Sequence, residues 1–356
     1  MKMILFLLSF FLIYVIFHCY AYIKTRAVIP ITGWRYLPAC LFVLLMVTMP
    51  ISTRLLEQSG FESTARVTAY LGYSWMGFLF FFVSAALLMD MLGIVCVVTQ
   101  WLLRFDVRWP FLKKIAFWLP ALVALLACMY GVFEAGNIQI ETVTLQTDKL
   151  PPGRDRMRIV QISDLHLGLI VRQHKLKQVV AKIKQVHPDL LVSTGDLVDG
   201  QLAKLNGLAE ILQQLTPPYG KFAVTGNHEF YVGIRQSLDF TRKAGFQLLR
   251  GESVQIENWL TVAGLDDQMA VIMGLGDDED GRLFDNVSSD TFVLLLKHRP
   301  TVDPHTTKHV NLQLSGHIHK GQIFPFNLLV HLVYPVSIGL SQPAEGYSLY
   351  VSRGTG

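Results

Sequence analysis

The chain has 356 residues, 51% of them hydrophobic, and a formal net charge of +4. Its mean hydropathy of +0.38 excludes an ordinary soluble protein. Residues 1–135 carry ten basic and five acidic side chains and residues 136–356 carry twenty-one and twenty-two. The positive excess therefore lies in the apolar part, and with no Lys/Arg run longer than two nucleic-acid binding is not indicated.

Residues 3–23 are an uninterrupted apolar stretch, long enough to span a bilayer. A cleaved signal peptide is the competing reading. Only Lys2 precedes the stretch, it is long for such a peptide, and no small-x-small site follows cleanly, so an uncleaved span is favoured. Residues 36–53 and 115–133 are expected to span as well, the latter behind Lys113 and Lys114. Between them, Val67 to Leu103 carries one charge, Asp90. That stretch is expected to hold one span, 69–90, followed by an interfacial amphipathic segment up to Arg104. A carboxylate inside a membrane is a functional-site hypothesis by default; a carboxylate at headgroup level is the plainer reading and is favoured.

With four spans both chain ends lie on one side. The opposite loops hold Lys24, Arg26, Arg35, Arg104, Arg108, Lys113 and Lys114, against Lys2, Arg54 and Arg66 on the near side. The positive-inside rule then expects a multi-pass protein of the cell membrane with its C-terminal domain outside the cytoplasm. Cys19, Cys40, Cys96 and Cys128 all fall in the apolar part, so no disulfide framework holds the polar one.

From residue 136 onward the texture is that of a single polar domain. Ile138 to Thr147 alternates as an antiparallel edge strand would. Strands are expected at 157–163, 189–194 and 221–225, alternating with helices at 173–186, 203–215 and 233–244. A strand-rich stretch, 246–264, and strands at 291–297 and 310–315 follow. This order argues an α/β layered domain with mixed sheets. Residues 323–335 form an apolar run too short to span; a buried strand and loop is favoured over an apolar lip resting on a bilayer. Asp277 to Gly281 reads as a solvated loop rather than a calcium loop. His174, His187, His305, His309 and His331 have no partner spacing and read as surface or capping residues.

Five segments at or just after apolar, β-branched runs carry metal-ligand chemistry. They are Asp164-Leu165-His166, Gly195-Asp196-Leu197-Val198-Asp199, Gly226-Asn227-His228-Glu229, Lys297-His298-Arg299-Pro300 and Gly316-His317-Ile318-His319. Any one alone is commonplace, a chance pair or a turn; five in order are not. Asp164, His166, Asp196, Asn227, His298, His317 and His319 are oxygen and imidazole donors without thiolate, which suits Mn, Fe, Zn or Ni. Seven donors are too many for one tetrahedral ion and suit two, and a carboxylate such as Asp196 can bridge a pair. His228, next to a ligand, is expected to point into the cleft as general acid, with Asp199 orienting it.

Together these segments resemble the calcineurin-like metallophosphoesterase superfamily, whose pattern is D-x-H, G-D-x-x-D, G-N-H-[DE], a lone His and G-H-x-H. The resemblance covers about residues 157–353. It is nearest the membrane-anchored bacterial branch, through Ser163-Asp164-Leu165-His166-Leu167-Gly168 and Leu314-Ser315-Gly316-His317-Ile318-His319. It implies a double-sheet αββα sandwich behind the transmembrane region and two divalent metal ions. Asp164, His166 and His319 would hold the first ion, Asn227, His298 and His317 the second, with Asp196 between them and His228 catalytic. The expected activity is hydrolysis of a phosphodiester or pyrophosphate bond by a hydroxide bridging the metals. Tethering to the bilayer points to a lipid-linked substrate. The alternatives are a phosphomonoesterase, or a membrane receptor or transport accessory whose metal domain only binds. Three differences stand out. Gly200 and Gln201 follow Asp199 where phosphoprotein phosphatases of the superfamily have Arg-Gly. Ile318 and Lys320 replace Thr and Gly, so Lys320 is expected to add a phosphate contact. Ser352 to Gly356 stand where relatives continue into another strand.

Overall fold

The computed structural model describes residues 2–104, 112–200, 205, 207–276, 282–284, 287–288, 290–319 and 326–355. Gln201, Lys320, the run 277–280 with Gly281, the first residues of the expected helix 203–215 and Arg108 lie outside them. The chain divides into two compact units, Met1–Asn137 and Ile138–Gly356.

The first unit is four helices, each long and apolar enough to cross a membrane: α1 (Lys2–Arg26), α2 (Tyr36–Gln58), α3 (Glu62–Leu103) and α4 (Leu112–Gly136). They are apolar nearly all round, as helices that pair all backbone polar groups internally can be in lipid. Tyr14, Leu79, Phe82, Val83 and Ala124 form the shared interior. At Gly72 a Cβ would lie 2.6 Å from Met49 Cγ, so a missing side chain lets α2 and α3 close together. His18 is engaged at both ring nitrogens: Trp75 Nε1 donates to His18 Nε2 (2.9 Å), and His18 Nδ1 lies 2.8 Å from Tyr14 O. Asp90 accepts from Tyr20 (2.6 Å) and from the Lys24 ammonium. The expected span 69–90 and the segment after it up to Arg104 lie on one helix. α3 runs on for 42 residues, about 63 Å at 1.5 Å per residue and twice the ~30 Å hydrocarbon core. The stretch after Asp90 holds no proline and only Gly93 to weaken it, so nothing there breaks a helix.

Among its described residues the second unit has two large sheets and one two-strand ladder. The first is parallel, in the order β1 (Ile159–Ile162), β3 (Leu190–Ser193), β5 (Lys221–Ala223), β6 (Gln247–Leu248). The second has the order β11 (Gly339–Ala344), β12 (Tyr347–Val351), β10 (Leu312–Ser315), β9 (Phe292–Leu296), β8 (Leu260–Gly264), β7 (Glu252–Ile256). Its central strands are parallel and its two outer pairs antiparallel. A two-strand ladder joins β2 (Leu167–Gly168) to β4 (Val198–Asp199). The helices are α5 (Gln173–Val186), α6 (Leu208–Gln213), α7 (Asn227–Val232), α8 (Ile234–Lys243), α9 (Met269–Ile272) and α10 (Phe326–Val333).

Period-two alternation sorts the strand residues into layers. Leu191 faces α5, α6 and α8 through Leu176, Val180, Leu212 and Phe240. Its neighbours Leu190 and Val192 meet Leu260, Val262, Leu294 and Leu314 between the sheets. Val293 and Leu295 of β9 point outward, to Tyr347, Leu349 and Val330 of α10. The result is the mixed α/β sandwich expected, behind its apolar helices.

Two expectations fail. Residues 138–147 pair with no strand. Ile138 packs on the helix-covered face of the first sheet and Leu145 in the core between the sheets, so this segment crosses the sandwich edge instead of lining it. Within 323–335 the described residues form not a buried strand but helix α10. Its Leu328 (56%), Leu332 (81%) and Val333 (71%) are exposed, while Val330 alone among its described side chains packs inward. The hairpin β11–β12 and the short helices α7 and α9 were not anticipated.

Candidate metal centre

Parallel strands deliver their following loops to one edge of a sheet, where crevices form. β1 leads to Asp164 and His166, β3 to Asp196, and β5 to Asn227 and His228 at the start of α7. From the second sheet β9 leads to His298, and β10 to His317 and His319. All seven expected donors meet there. The ligand atoms of Asp164, His166 and His319 lie within 4.8 Å of one another, as do those of Asp196, His298 and His317, and those of His166, Asp196 and His228. His319 Nε2 is 3.2 Å from Asp164 Oδ1 and 3.3 Å from His166 Nε2. Asp196 Oδ2 stands between the groups, 3.3 Å from His298 Nε2 and 3.8 Å from His166 Nε2. Asn227 Oδ1 is 3.2 Å from His298 Nε2.

The donor set fits a cation on its own chemistry. His298 Nδ1 lies 2.8 Å from Thr194 O, which can only accept, so Nδ1 carries the proton and Nε2 of the neutral ring presents a lone pair. That lone pair faces Asp196 Oδ2, Asn227 Oδ1 and, at 3.1 Å, His317 Nδ1. Buried acceptors aimed at one point need a positive charge among them. Burial opposes charge on His298, yet Asp196, with Asp164 and Asp267, pushes its pKa up to about 10, the mark of a point that favours positive charge. Burial likewise opposes charge on Asp196, and His298, His228 and His166 hold its carboxyl well below the usual range. Burial, His298 and Arg299 push His317 down to about 4, so it stays a neutral donor.

The loops are strained in a telling way. Asp164 (φ 54), His166 (φ 49), Asp196 (φ 51), His317 (φ 72) and His319 (φ 43) all sit in the left-handed region. That conformation costs a non-glycine residue roughly 1–2 kcal/mol and gathers at sites that must aim side chains. Gly195 (φ 97) leaves room for the neighbouring loops: a Cβ there would lie 2.6 Å from Gly226 N and 2.7 Å from His298 Nδ1.

His228 Nδ1 is 3.0 Å from Asp199 Oδ1, the pair expected, and its backbone N–H donates to Asp196 Oδ1 at 2.8 Å. Burial disfavours the His228 imidazolium, but the Asp199 bond and Asp196 raise its pKa above the ordinary value.

Several residues here were not foreseen. Glu229 is fully buried and its carboxylate accepts backbone N–H bonds from Gly226 (2.7 Å), Asp196 (3.0 Å), Leu197 (2.8 Å) and Val198 (3.3 Å). It locks the loop after β3 to the start of α7, and burial together with Asp196 pushes it up to about 7. Its place three residues after Gly226, the spacing of a helix capping box, was the available signal. Arg299 is held by Asp267 (2.7 and 3.2 Å) and donates to Tyr334 (3.1 Å), whose ring lies edge-on 5.5 Å from His317.

Residues 157–321 match the family model of the calcineurin-like phosphoesterase. A protein of Aquifex aeolicus described as an uncharacterized metallophosphoesterase is 42% identical over 236 residues, 66% of this chain and 90% of that protein. Two proteins described as transmembrane proteins with a metallophosphoesterase domain are also similar. That of Danio rerio is 31% identical over 67% of this chain, and that of Bos taurus 34% identical over 66%. The match spans 57% of the length of each. Donor geometry, family model and relatives agree: the chain belongs to the calcineurin-like metallophosphoesterases, hydrolases of phosphoric esters that use divalent metal.

Proposed function

We propose that the chain is a multi-pass membrane phosphoesterase with two metal ions that cleaves a phosphodiester or pyrophosphate bond outside the cytoplasm. The observation that carries this reading is the pair of donor groups Asp164–His166–His319 and Asp196–His298–His317, with Asp196 Oδ2 also 3.8 Å from His166 Nε2 of the first. Asp164, His166 and His319 would hold one ion, Asn227, His298 and His317 the other, with Mn, Fe, Zn or Ni suited to these donors. Divalent cations there would acidify a water and neutralise charge on the phosphoryl oxygens. The water oxygen adds to phosphorus as the bond to the leaving oxygen breaks. His228, its Nδ1 engaged by Asp199, gives its Nε2 proton to that leaving oxygen. Asp199 fixes the ring and favours the protonated form, and the backbone N–H of His228 on Asp196 Oδ1 ties the acid to the metal loop.

A lipid-linked substrate is supported by two features. The chain has four helices apolar enough to cross a membrane, and α10 exposes Leu328, Leu332 and Val333 just before Tyr334, whose ring flanks His317. The single unbroken α3 supports four crossings, and the basic loops 24–35 and 104–114 support the extracytoplasmic placement. Labelling intact cells at an exposed position of residues 138–355 tests that placement; labelling only after lysis would reverse it.

The catalytic reading is tested on the full chain in detergent with Mn²⁺. Bis(4-nitrophenyl) phosphate should be hydrolysed faster than 4-nitrophenyl phosphate. His228→Ala should keep its metal content while kcat falls by about 10²–10⁴. Parental turnover in that variant would remove His228 from the mechanism, and faster hydrolysis of the monoester would make the enzyme a phosphomonoesterase.

A further inference from the structure

The last described residues reach back into the metal centre. Ser352 N donates to Ser315 O (2.8 Å), one step past the last β10–β12 pair, Ser315 with Val351. Gly354, at φ 97, then redirects the chain. Thr355 meets Ser163 twice: Thr355 N donates to Ser163 O (2.8 Å), and Ser163 N donates to Thr355 Oγ1 (3.1 Å). Ser163 directly follows β1, so these four residues tie the end of a first-sheet strand to the end of a second-sheet strand.

Both anchor points adjoin metal donors. The Ser163 hydroxyl donates to Asp164 Oδ2, and the loop after Ser315 carries His317 and His319. Gly354 lies directly against the donors: a Cβ on it would stand 3.0 Å from His319 Nδ1 and 3.4 Å from Asp164 Cβ. Asp164 and His319 are among the donors with left-handed backbones, which neighbouring structure must hold in place. Asp164 accepts the backbone N–H of His317 from one side (3.1 and 3.2 Å). The Ser163–Thr355 pairing fixes the peptide on its other side.

We infer that residues 352–355 form a strap that positions Asp164 and His319 for metal, with Thr355 as its positioning residue. The inference rests on the reading of Asp164, His166 and His319 as a cation subsite. Thr355 acts through Ser163, to which both of its hydrogen bonds run. Gly354 is the one residue that allows the strap to pass, since any side chain there would press on His319 and adopt a left-handed conformation as well.

The test is calorimetric titration of the full chain in detergent with Mn²⁺. The parent should bind Mn²⁺ at two sites. Thr355→Val, which keeps the shape but removes the acceptor for Ser163 N–H, should weaken one site about tenfold, as loss of an outer support does, and leave the other unchanged. Thr355→Ser, which keeps the oxygen, should recover most of the affinity. Gly354→Ala should weaken the same site, and it serves if Thr355→Val does not fold. Excess Mn²⁺ should restore the turnover of Thr355→Val. Parental affinity in Thr355→Val or Gly354→Ala, or a Thr355→Ser as weak as Thr355→Val, would overturn the strap. So would a lowered melting temperature with unchanged affinity, the mark of a merely structural role. A parent that binds no Mn²⁺ would instead overturn the metal reading itself.

Discussion

At the scale of the residue, the centre works by pairs in which one member aims the other. Asp199 aims His228, Thr194 O aims His298, and Asp267 with Arg299 and Tyr334 brackets His317. Asp199→Asn should therefore keep the metal and lose roughly 10–100-fold in kcat, because an amide neither favours the imidazolium nor fixes the tautomer. Metal analysis beside steady-state kinetics checks this; equal loss of both would show that Asp199 serves the metal loops instead. The donors were legible in the sequence because five strand-end segments together repeat a ligand pattern in order, although each alone would pass for a turn. Glu229 and Thr355 were not. Both act on backbone N–H groups, Glu229 on residues 196–198 and Thr355 on residue 163, so the sequence shows at most the capping-box spacing of Glu229 and nothing of its partners in the other loop.

At the scale of the element, strand ends carry the chemistry while buried cations hold the helices that back them. Lys221 on β5 is buried and donates to Leu212 O at the end of α6 (2.9 Å) and to Ala244 O after α8 (2.7 Å). Its ammonium sits where two helix C-termini concentrate negative potential. Burial nonetheless lowers its pKa from 10.5 to about 8. A lysine depressed in the folded state carries its full penalty below about pH 8. Between that value and 10.5 the folded chain has shed a proton that the unfolded chain keeps, so stability rises with pH across the window. Urea midpoints measured from pH 8 to 9.5 should thus rise more steeply in the parent than in Lys221→Met. Parallel slopes would mean the ammonium is not the titrating group. Elements were readable where periodicity reported burial, as in α5. They were misread where an apolar pattern served something else: Ile138 and Leu145 feed different cores, and α10 leaves Leu332 and Val333 uncovered. α3 continues through Asp90, whose carboxylate is paired with Tyr20 and Lys24, so one charge does not end a helix.

At the scale of the whole catalytic unit, the donors are divided between its layers. Asp164, His166, Asp196 and Asn227 follow strands of the first sheet; His298, His317 and His319 follow strands of the second. The sheets are also joined by an apolar core and by polar ties such as Gln161 Nε2 donating to Ser315 O (2.9 Å). A cation bound at a hundred times its Kd stabilises the folded state by about 2.7 kcal/mol. A strong chelator should accordingly lower the melting temperature of this unit by several degrees, and excess Mn²⁺ should reverse the loss. An unchanged melt would mean that no cation binds the folded unit in preference to the unfolded chain. The division has a wider consequence: an ion gripped from both layers is a rivet, and heat tolerance becomes a property of the surroundings as much as of the polypeptide. If an ion is gripped from both layers, its scarcity would cost the enzyme resilience and turnover together and make the protein a gauge of the supply.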